Sequence, residues 1–203
     1  MSSDTPTIIL IGGASGSGKS YLAGRFGNPH LPLDEFYREI SEDGNPAAFP
    51  RTAYGQIDWD HPETWNLQAA VDALIELAET GRTTVPNYSI ATSSYSGHRD
   101  ISGSGPILAE GIFLSQVLAP LQRAGCHVQA YFVDEPALLT AIRRFARDVA
   151  ERRKPVGFLI KRGYALYRAH QSTRESYREA GFTMVPKPAL KRILASQQTQ
   201  AQA

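Results

Sequence analysis

Short apolar runs alternate along this chain with longer stretches in which apolar residues recur at helical spacing. Thr7-Ile8-Ile9-Leu10-Ile11 is a run suited to a buried parallel strand, and Lys19 to Phe26 then reads as a helix. Gly27-Asn28-Pro29 stops that helix, and His30 to Leu33 gives a brief second strand. From Glu63 to Thr80 the pattern is helical, with Leu67, Val71, Leu74 and Leu77 on one face and Gly81 as the stop. Thr83 to Pro86, Ile107 to Glu110, Val128 to Val133 and Thr183 to Val185 read as further strands. Helices are expected over Leu114 to Ala124 despite Pro120, from Pro136 to about Arg153, over Leu159 to His170, and around Arg174 to Glu179. A last one, Leu190 to Ser196, ends the expected ordered chain.

Strands that alternate with helices call for a three-layer α/β fold around a mainly parallel sheet. No repeat, heptad or composition shift divides the chain, so 1–203 reads as one domain. Three polar segments look like insertions over one crevice: 35–62 and 87–104 as acceptor-binding loops, and 143–157 as an arginine-rich helical lid. The glutamine-rich end, 197–203, is expected to fray.

Composition narrows the partners. The formal net charge of +1 gives no global field that demands nucleic acid or a membrane surface. The signs are unevenly spread, with eleven acids against two arginines from Leu31 to Thr80 and six basic residues against two acids from Arg143 to Lys154. The single cysteine, Cys126, excludes an internal disulfide and a Cys-rich zinc site. No basic-then-apolar leader opens the chain, and no apolar run approaches transmembrane length, so a cytoplasmic location is expected. Whether the chain forms a homo-oligomer is left open.

The decisive stretch is Gly13 to Ser20, GASGSGKS, which fits the phosphate-loop pattern G-x-x-x-x-G-K-[ST] at every fixed position. It lies between an apolar strand and a helix, the context that the motif requires. Gly13, Ala14, Ser15, Gly16, Ser17 and Gly18 can curl so that backbone N–H groups face phosphate oxygens. Lys19 would reach the β- and γ-phosphates of ATP, and Ser20 would coordinate Mg2+. Glu110, at the end of an apolar strand, is the best second ligand for Mg2+, against the plainer reading of a capping or ion-paired carboxylate. Asp34 follows the second strand and could orient an acceptor hydroxyl and take its proton, or bind Mg2+ in an outer role. Asp134 follows the last central strand and is the weaker candidate, since a residue there is often only a helix cap. Arg143, Arg144 and Arg147 recur at helical spacing and could clamp migrating phosphates, where a solvated basic helix face is the plainer alternative. Trp59, His61 and Tyr88 could surround an aromatic acceptor; local packing and helix capping are the alternatives.

Taken together these residues resemble the uridine kinase-like branch of P-loop kinases, related to phosphoribulokinase and pantothenate kinase. Leu33-Asp34-Glu35-Phe36-Tyr37 resembles the family's Asp-x-Phe-Tyr segment, which brings Tyr37 into the expected acceptor site. Asp58-Trp59-Asp60-His61-Pro62 resembles its Asp-His-Pro segment, with Asp60 placed to contact sugar hydroxyls and Asp58 beside it. Glu110-Gly111-Ile112-Phe113 and Arg143-Arg144-x-x-Arg147-Asp148 resemble its Glu-Gly-Ile and lid segments. The resemblance implies an ATP- and Mg2+-dependent kinase acting on a small-molecule hydroxyl, foremost the 5′-hydroxyl of uridine or cytidine. In it Asp34 is the base, and Lys19, Arg147 and the other lid arginines hold the transferring group.

The chain departs from that family where the base would be read. Its Tyr-Asp-Phe becomes Tyr88-Ser89-Ile90, the following His and Arg fall on Ser93 and Tyr95, and His98-Arg99 offers a replacement pair farther along. A kinase for pantothenate, a sugar or another metabolite is therefore a second expectation, and an acceptor-independent regulatory NTPase a third.

Overall fold

The computed structural model describes residues 6–14, 16–40, 49–52, 54–136 and 171–201. Ser15 and the expected lid, including Arg143, Arg144 and Arg147, lie outside the described residues.

Strand β1 (Ile8–Gly13) is buried along its whole length. Its alternation explains why. Ile8 and Leu10 join one apolar cluster, and Ile9 and Ile11 join the other, so the strand is covered on both faces. Around it lie β2 (His30–Pro32), β5 (Ile107–Glu110), β6 (Val128–Val133) and β7 (Thr183–Val185), in the order β2-β5-β1-β6-β7. Every pairing in this sheet is parallel. Helices α1 (Lys19–Phe26) and α4 (Lys187–Ala201) cover one face through Leu22, Phe26, Leu190 and Leu194. Helices α2 (Leu67–Thr80) and α3 (Leu118–Arg123) cover the other through Leu74, Leu77 and Leu121. Residues 171–179 are also helical. The expected three-layer α/β fold with a parallel central sheet is what forms.

Three local expectations change. The segment from residue 87 to 104 is not an irregular loop. It is the greater part of an antiparallel hairpin of β3 (Arg82–Ser89) and β4 (Ser94–Ser102), apart from the main sheet, with Tyr88 opposite Tyr95 and Ser89 opposite Ser94. Its hydroxyl-rich sequence imitates a loop because β4 buries little surface. The helix expected from Leu114 is a 3-10 turn (Leu114–Gln116) followed by α3, which leaves Pro120 in a first helical turn where its missing N–H costs nothing. The tail expected to fray is helical through Ala201, and the Gln197 side-chain amide donates to Gln129 Oε1 on β6.

Caps close α2 as the pattern requires. Asn66 Oδ1 accepts the Ala69 N–H at 3.1 Å, and Gly81 ends the helix at φ 72°. Just upstream, Trp65 is buried and its indole donates to the Leu33 carbonyl at 2.7 Å. That bond ties the start of α2 to the 3-10 turn Leu33–Phe36, which carries Asp34.

Candidate active site

The carboxyl ends of parallel strands are where this fold class places its binding crevice. β1 delivers the phosphate loop, β2 the turn with Asp34, and β5 the buried Glu110. β1 and β2 both pair with β5, Ile11 lying opposite Glu110 and Glu110 opposite Pro32, so the three strands end side by side.

Gly13, Gly16 and Gly18 take φ of 153°, 87° and 90°, a backbone path that L side chains rarely follow. A Cβ on Gly13 would come within 2.7 Å of Ser17 Oγ. The Ser17 N–H donates to the Ala14 carbonyl at 3.0 Å, while its fully buried hydroxyl has no hydrogen-bond partner among the described residues. A tight glycine cradle with an orphaned hydroxyl inside it fits a bound polyphosphate. Lys19 is buried at the start of α1, and Ser20 follows it in the first turn.

Glu110 is held ionised. Burial alone would raise its pKa, but His30, the Lys19 ammonium and the Ser20 hydroxyl outweigh burial and set it below the usual glutamate value. His30 Nε2 stands 3.8 Å from Glu110 Oε1, a distance for electrostatic attraction and too long for a hydrogen bond. Among the described residues, no three His, Cys, Asp or Glu side chains converge as a metal cage. A kinase Mg2+ needs none, since one or two protein groups plus substrate phosphates and water complete its shell. Ser20 and Glu110 suit that role.

Asp34 is exposed to solvent at the mouth of the crevice, although protein surrounds it on most sides. Its Oδ1 accepts the Ile112 N–H at 3.2 Å. Burial pushes its pKa above the usual aspartate value, with Glu110 and Glu35 adding to the rise and Lys19 and the Ile112 bond opposing it. Because water reaches the carboxylate, desolvation is incomplete and only the direction matters. A carboxylate less acidic than usual is the better proton acceptor.

Next to the turn that carries Asp34 lies an aromatic cluster built around Tyr37. Its ring meets Trp59 edge-on at 5.8 Å, Tyr88 at 5.5 Å and Phe113 at 6.0 Å. The Tyr37 hydroxyl donates to the Trp59 carbonyl at 3.1 Å, which draws the 58–61 segment to the turn carrying Asp34. Within that segment His61 acts as a cap: its Nδ1 accepts the Glu63 N–H at 3.2 Å at the start of the 3-10 turn Pro62–Thr64. Asp58 Oδ1 accepts the Asp60 N–H at 3.2 Å, and the exposed Asp60 side chain lies at the tip of that turn.

Arg99 is drawn to the same place. It pairs with Glu35 at 3.0 Å and with Asn87 Oδ1 at 3.1 Å. Glu35 also accepts the Tyr88 N–H at 2.7 Å, Glu39 accepts the Tyr95 N–H, and the Tyr95 hydroxyl donates to the Tyr37 carbonyl at 2.8 Å. Glu35, Glu39 and Tyr95 thus clamp the hairpin beside Asp34. Sequence reasoning missed all three, because the hairpin itself was not visible. Replacing Glu35 by Ala should loosen this clamp, raising the acceptor KM about tenfold, on the order of 1.4 kcal/mol, while ATP affinity holds. Steady-state kinetics checks this, and an unchanged acceptor KM would remove Glu35 from the clamp.

Two other positions flank the site. Asp134 has a bidentate partner in Arg174, at 2.9 and 2.7 Å, so it anchors the 171–179 helix. Lys187, not singled out in the sequence, lies over the phosphate loop so closely that a Cβ on Gly18 would collide with its ammonium, and its Nζ stands 5.5 Å from the Tyr21 ring centre. A cavity of about 470 Å³ between α2 and the hairpin, lined by Phe36, Asn66, Asp72, Glu76, Tyr95 and His98, contains none of Lys19, Asp34 or Glu110 and is separate from this crevice.

The model of the phosphoribulokinase/uridine kinase family matches residues 8–160. The chain belongs to that family. A uridine kinase of Chloroflexus aggregans is 30% identical over 171 residues, covering 80% of this chain and 78% of that protein. A uridine kinase of Saccharomyces cerevisiae is 30% identical over 157 residues, and the chain spans only 30% of that relative's length. Among solved structures, a protein described as a fructose transport system kinase of Silicibacter sp. TM1040 superposes with a TM-score of 0.60 over 91% of this chain and 92% of its own. At 14% identity that likeness is one of fold. Among the described residues, no helix is long and apolar enough to cross a membrane.

Proposed function

We propose that the chain is an ATP- and Mg2+-dependent kinase that transfers the γ-phosphoryl group to a small-molecule hydroxyl, foremost the 5′-hydroxyl of uridine or cytidine. The observation that carries this reading is the meeting of a phosphate loop, the buried Glu110 and the accessible Asp34 at adjoining strand ends. In it the phosphate loop binds the polyphosphate, and Lys19 neutralises charge on the transferring group. Mg2+, held by Ser20 and Glu110, would supply further charge neutralisation there. Asp34 orients the acceptor hydroxyl and receives its proton as the acceptor oxygen bonds to γ-phosphorus and the bond to the ADP oxygen breaks. The Tyr37, Trp59 and Tyr88 cluster suits a planar acceptor group, and Asp60 suits vicinal hydroxyls. Arg143, Arg144 and Arg147 would close the donor side.

One observation favours a second acceptor class. Ser89 stands where the family carries an acid, and Arg99 is engaged by Glu35 and Asn87. A sugar or pantothenate-like hydroxyl compound needs no base-reading acid. The test incubates the full chain with Mg-ATP and a panel of nucleosides, sugars and pantothenate, following ADP release. Release that depends on uridine or cytidine is expected. Dependence on another compound moves the acceptor, and turnover indifferent to the whole panel would overturn the kinase reading.

A further inference from the structure

We propose that Tyr177 is a positioning residue for Asp34 and acts through the backbone of Ile112. The inference rests on the reading of Asp34 as the group that holds the acceptor hydroxyl.

Tyr177 lies on the 171–179 helix, and its side chain is buried. Its hydroxyl donates to the Ile112 carbonyl at 2.8 Å, and the N–H of that same residue donates to Asp34 Oδ1 at 3.2 Å. The Ile112 backbone is therefore held from one side by a core phenol while it holds the carboxylate on the other. The phenol cannot drift. Its ring packs on Phe132 at 5.0 Å and on Phe182 at 4.9 Å, and it presses on Gly12 so closely that a Cβ there would collide with it. The turn after β5 is as constrained at its other end, where a Cβ on Gly111 would stand 3.1 Å from Asp34 Oδ1 and 3.2 Å from Leu33 Cβ. Three residues before Tyr177, on the same helix face, Arg174 forms its bidentate pair with Asp134 after β6. The helix is thus fixed to the ends of β1 and β6 and passes that fixity to the turn after β5.

A buried phenol needs some acceptor for its hydroxyl, and any core carbonyl would satisfy it. Here the carbonyl belongs to the residue whose amide sets the angle of Asp34. An aspartate at a solvent-open position has two freely turning side-chain torsions, and a misplacement of about 1 Å in a reacting group can cost on the order of a hundredfold in rate. The Tyr177–Ile112–Asp34 chain removes that freedom before substrate arrives.

Tyr177→Phe keeps the ring in its packing and removes only the hydroxyl. With Mg-ATP and uridine, or whichever panel compound drives ADP release, kcat should fall about tenfold while the acceptor KM and ATP affinity stay within about twofold. Rates are normalised to folded sites by the stoichiometry of binding of a non-hydrolysable ATP analogue. A merely structural loss disappears on that normalisation. An unchanged kcat, a loss that normalisation removes, or an equal change in ATP affinity overturns the inference. Should Y177F not fold, Arg174→Gln loosens the same helix from its surface side, and the same split is expected at about threefold; no change in kcat there counts against the proposal. Asp34→Asn is measured alongside. If it transfers at the wild-type rate, the Asp34 reading falls and this inference with it. If it is inactive while Y177F matches wild type, this inference alone falls.

Discussion

Replacing Asp34 by Asn should reduce phosphoryl transfer by about 10²- to 10⁴-fold, the range in which general-base groups contribute, and leave ATP binding nearly intact. The substitution keeps the shape of the side chain, so the turn Leu33–Phe36 and the bond from Ile112 need not move. What is lost is the basic oxygen. Because burial raises the pKa of Asp34, the wild-type rate should climb with pH through a point above the ordinary aspartate range. The same shift makes a claim about stability. A folded pKa above the unfolded one means that the native state binds the proton more tightly. Its stabilising effect is present below the unfolded pKa and lost as pH rises through the folded pKa. At neutral pH the ionised Asp34 therefore disfavours folding, and D34N should melt at a higher temperature than wild type, by a margin that shrinks on acidification. An inactive, more stable variant that still binds ATP is the expected result, checked by kinetics, nucleotide titration and melts at two pH values. Full activity in D34N would remove the base role, and a lower melting temperature at neutral pH would contradict the burial effect.

The phosphate loop was legible because its pattern is written in contiguous residues. GASGSGKS between an apolar strand and a helix needs no long-range information, and strand-end acids such as Glu110 follow from the apolar runs that precede them. The other half of the candidate site was legible only in part: Tyr37, Trp59, Tyr88 and Arg99 stood out as candidates, but the contacts that gather them did not, for a physical reason. Its parts are brought together by pairings far apart in sequence, such as Glu35 with Arg99 and Tyr37 with Trp59 and Tyr95. A polar hairpin exposed along one strand carries no apolar alternation to announce itself. His61 shows the reverse case, where the plain capping role foreseen for it is the contact that forms. Tyr177 was hidden more deeply, since its hydroxyl reaches a backbone carbonyl and no side-chain pattern encodes that. The tightness of Gly12 and Gly111 is intelligible only once the groups that crowd them, Tyr177 and Asp34, are in place.

Lys19→Ala should be the second severe variant, and it separates two functions of one cation. Lys19 is buried, and its charge lowers the pKa of both Asp34 and Glu110. On the proposed kinase reading, charge that develops on the transferring phosphoryl group would then lose a preorganised cation, which should cost about 10²- to 10³-fold in kcat. The two carboxylates also lose a cation that lowers the pKa of each, so the raised pKa of Asp34 should rise further and the lowered pKa of Glu110 should move back up. For Glu110 the sign is the usual acidic one. Its depressed folded pKa contributes stability that is present above the unfolded pKa and is lost as pH falls through the folded pKa. Removing Lys19 shrinks that contribution, so K19A should be less stable than wild type at neutral pH by about 1–3 kcal/mol, the cost of depriving the buried Glu110 carboxylate of a charged neighbour. Acidification neutralises both carboxylates and should narrow the gap. Denaturant melts at pH 7 and over an acid series that runs below the ordinary glutamate range, together with kcat, test the two claims separately. A kcat loss with no change in stability would mean that the carboxylates do not depend on Lys19. A stability loss with kcat intact would mean that the phosphoryl group does not. D34N and K19A are thus predicted to move stability in opposite directions while both silence transfer, because one removes a negative charge from a crowded carboxylate pair and the other removes the positive charge that holds the pair together.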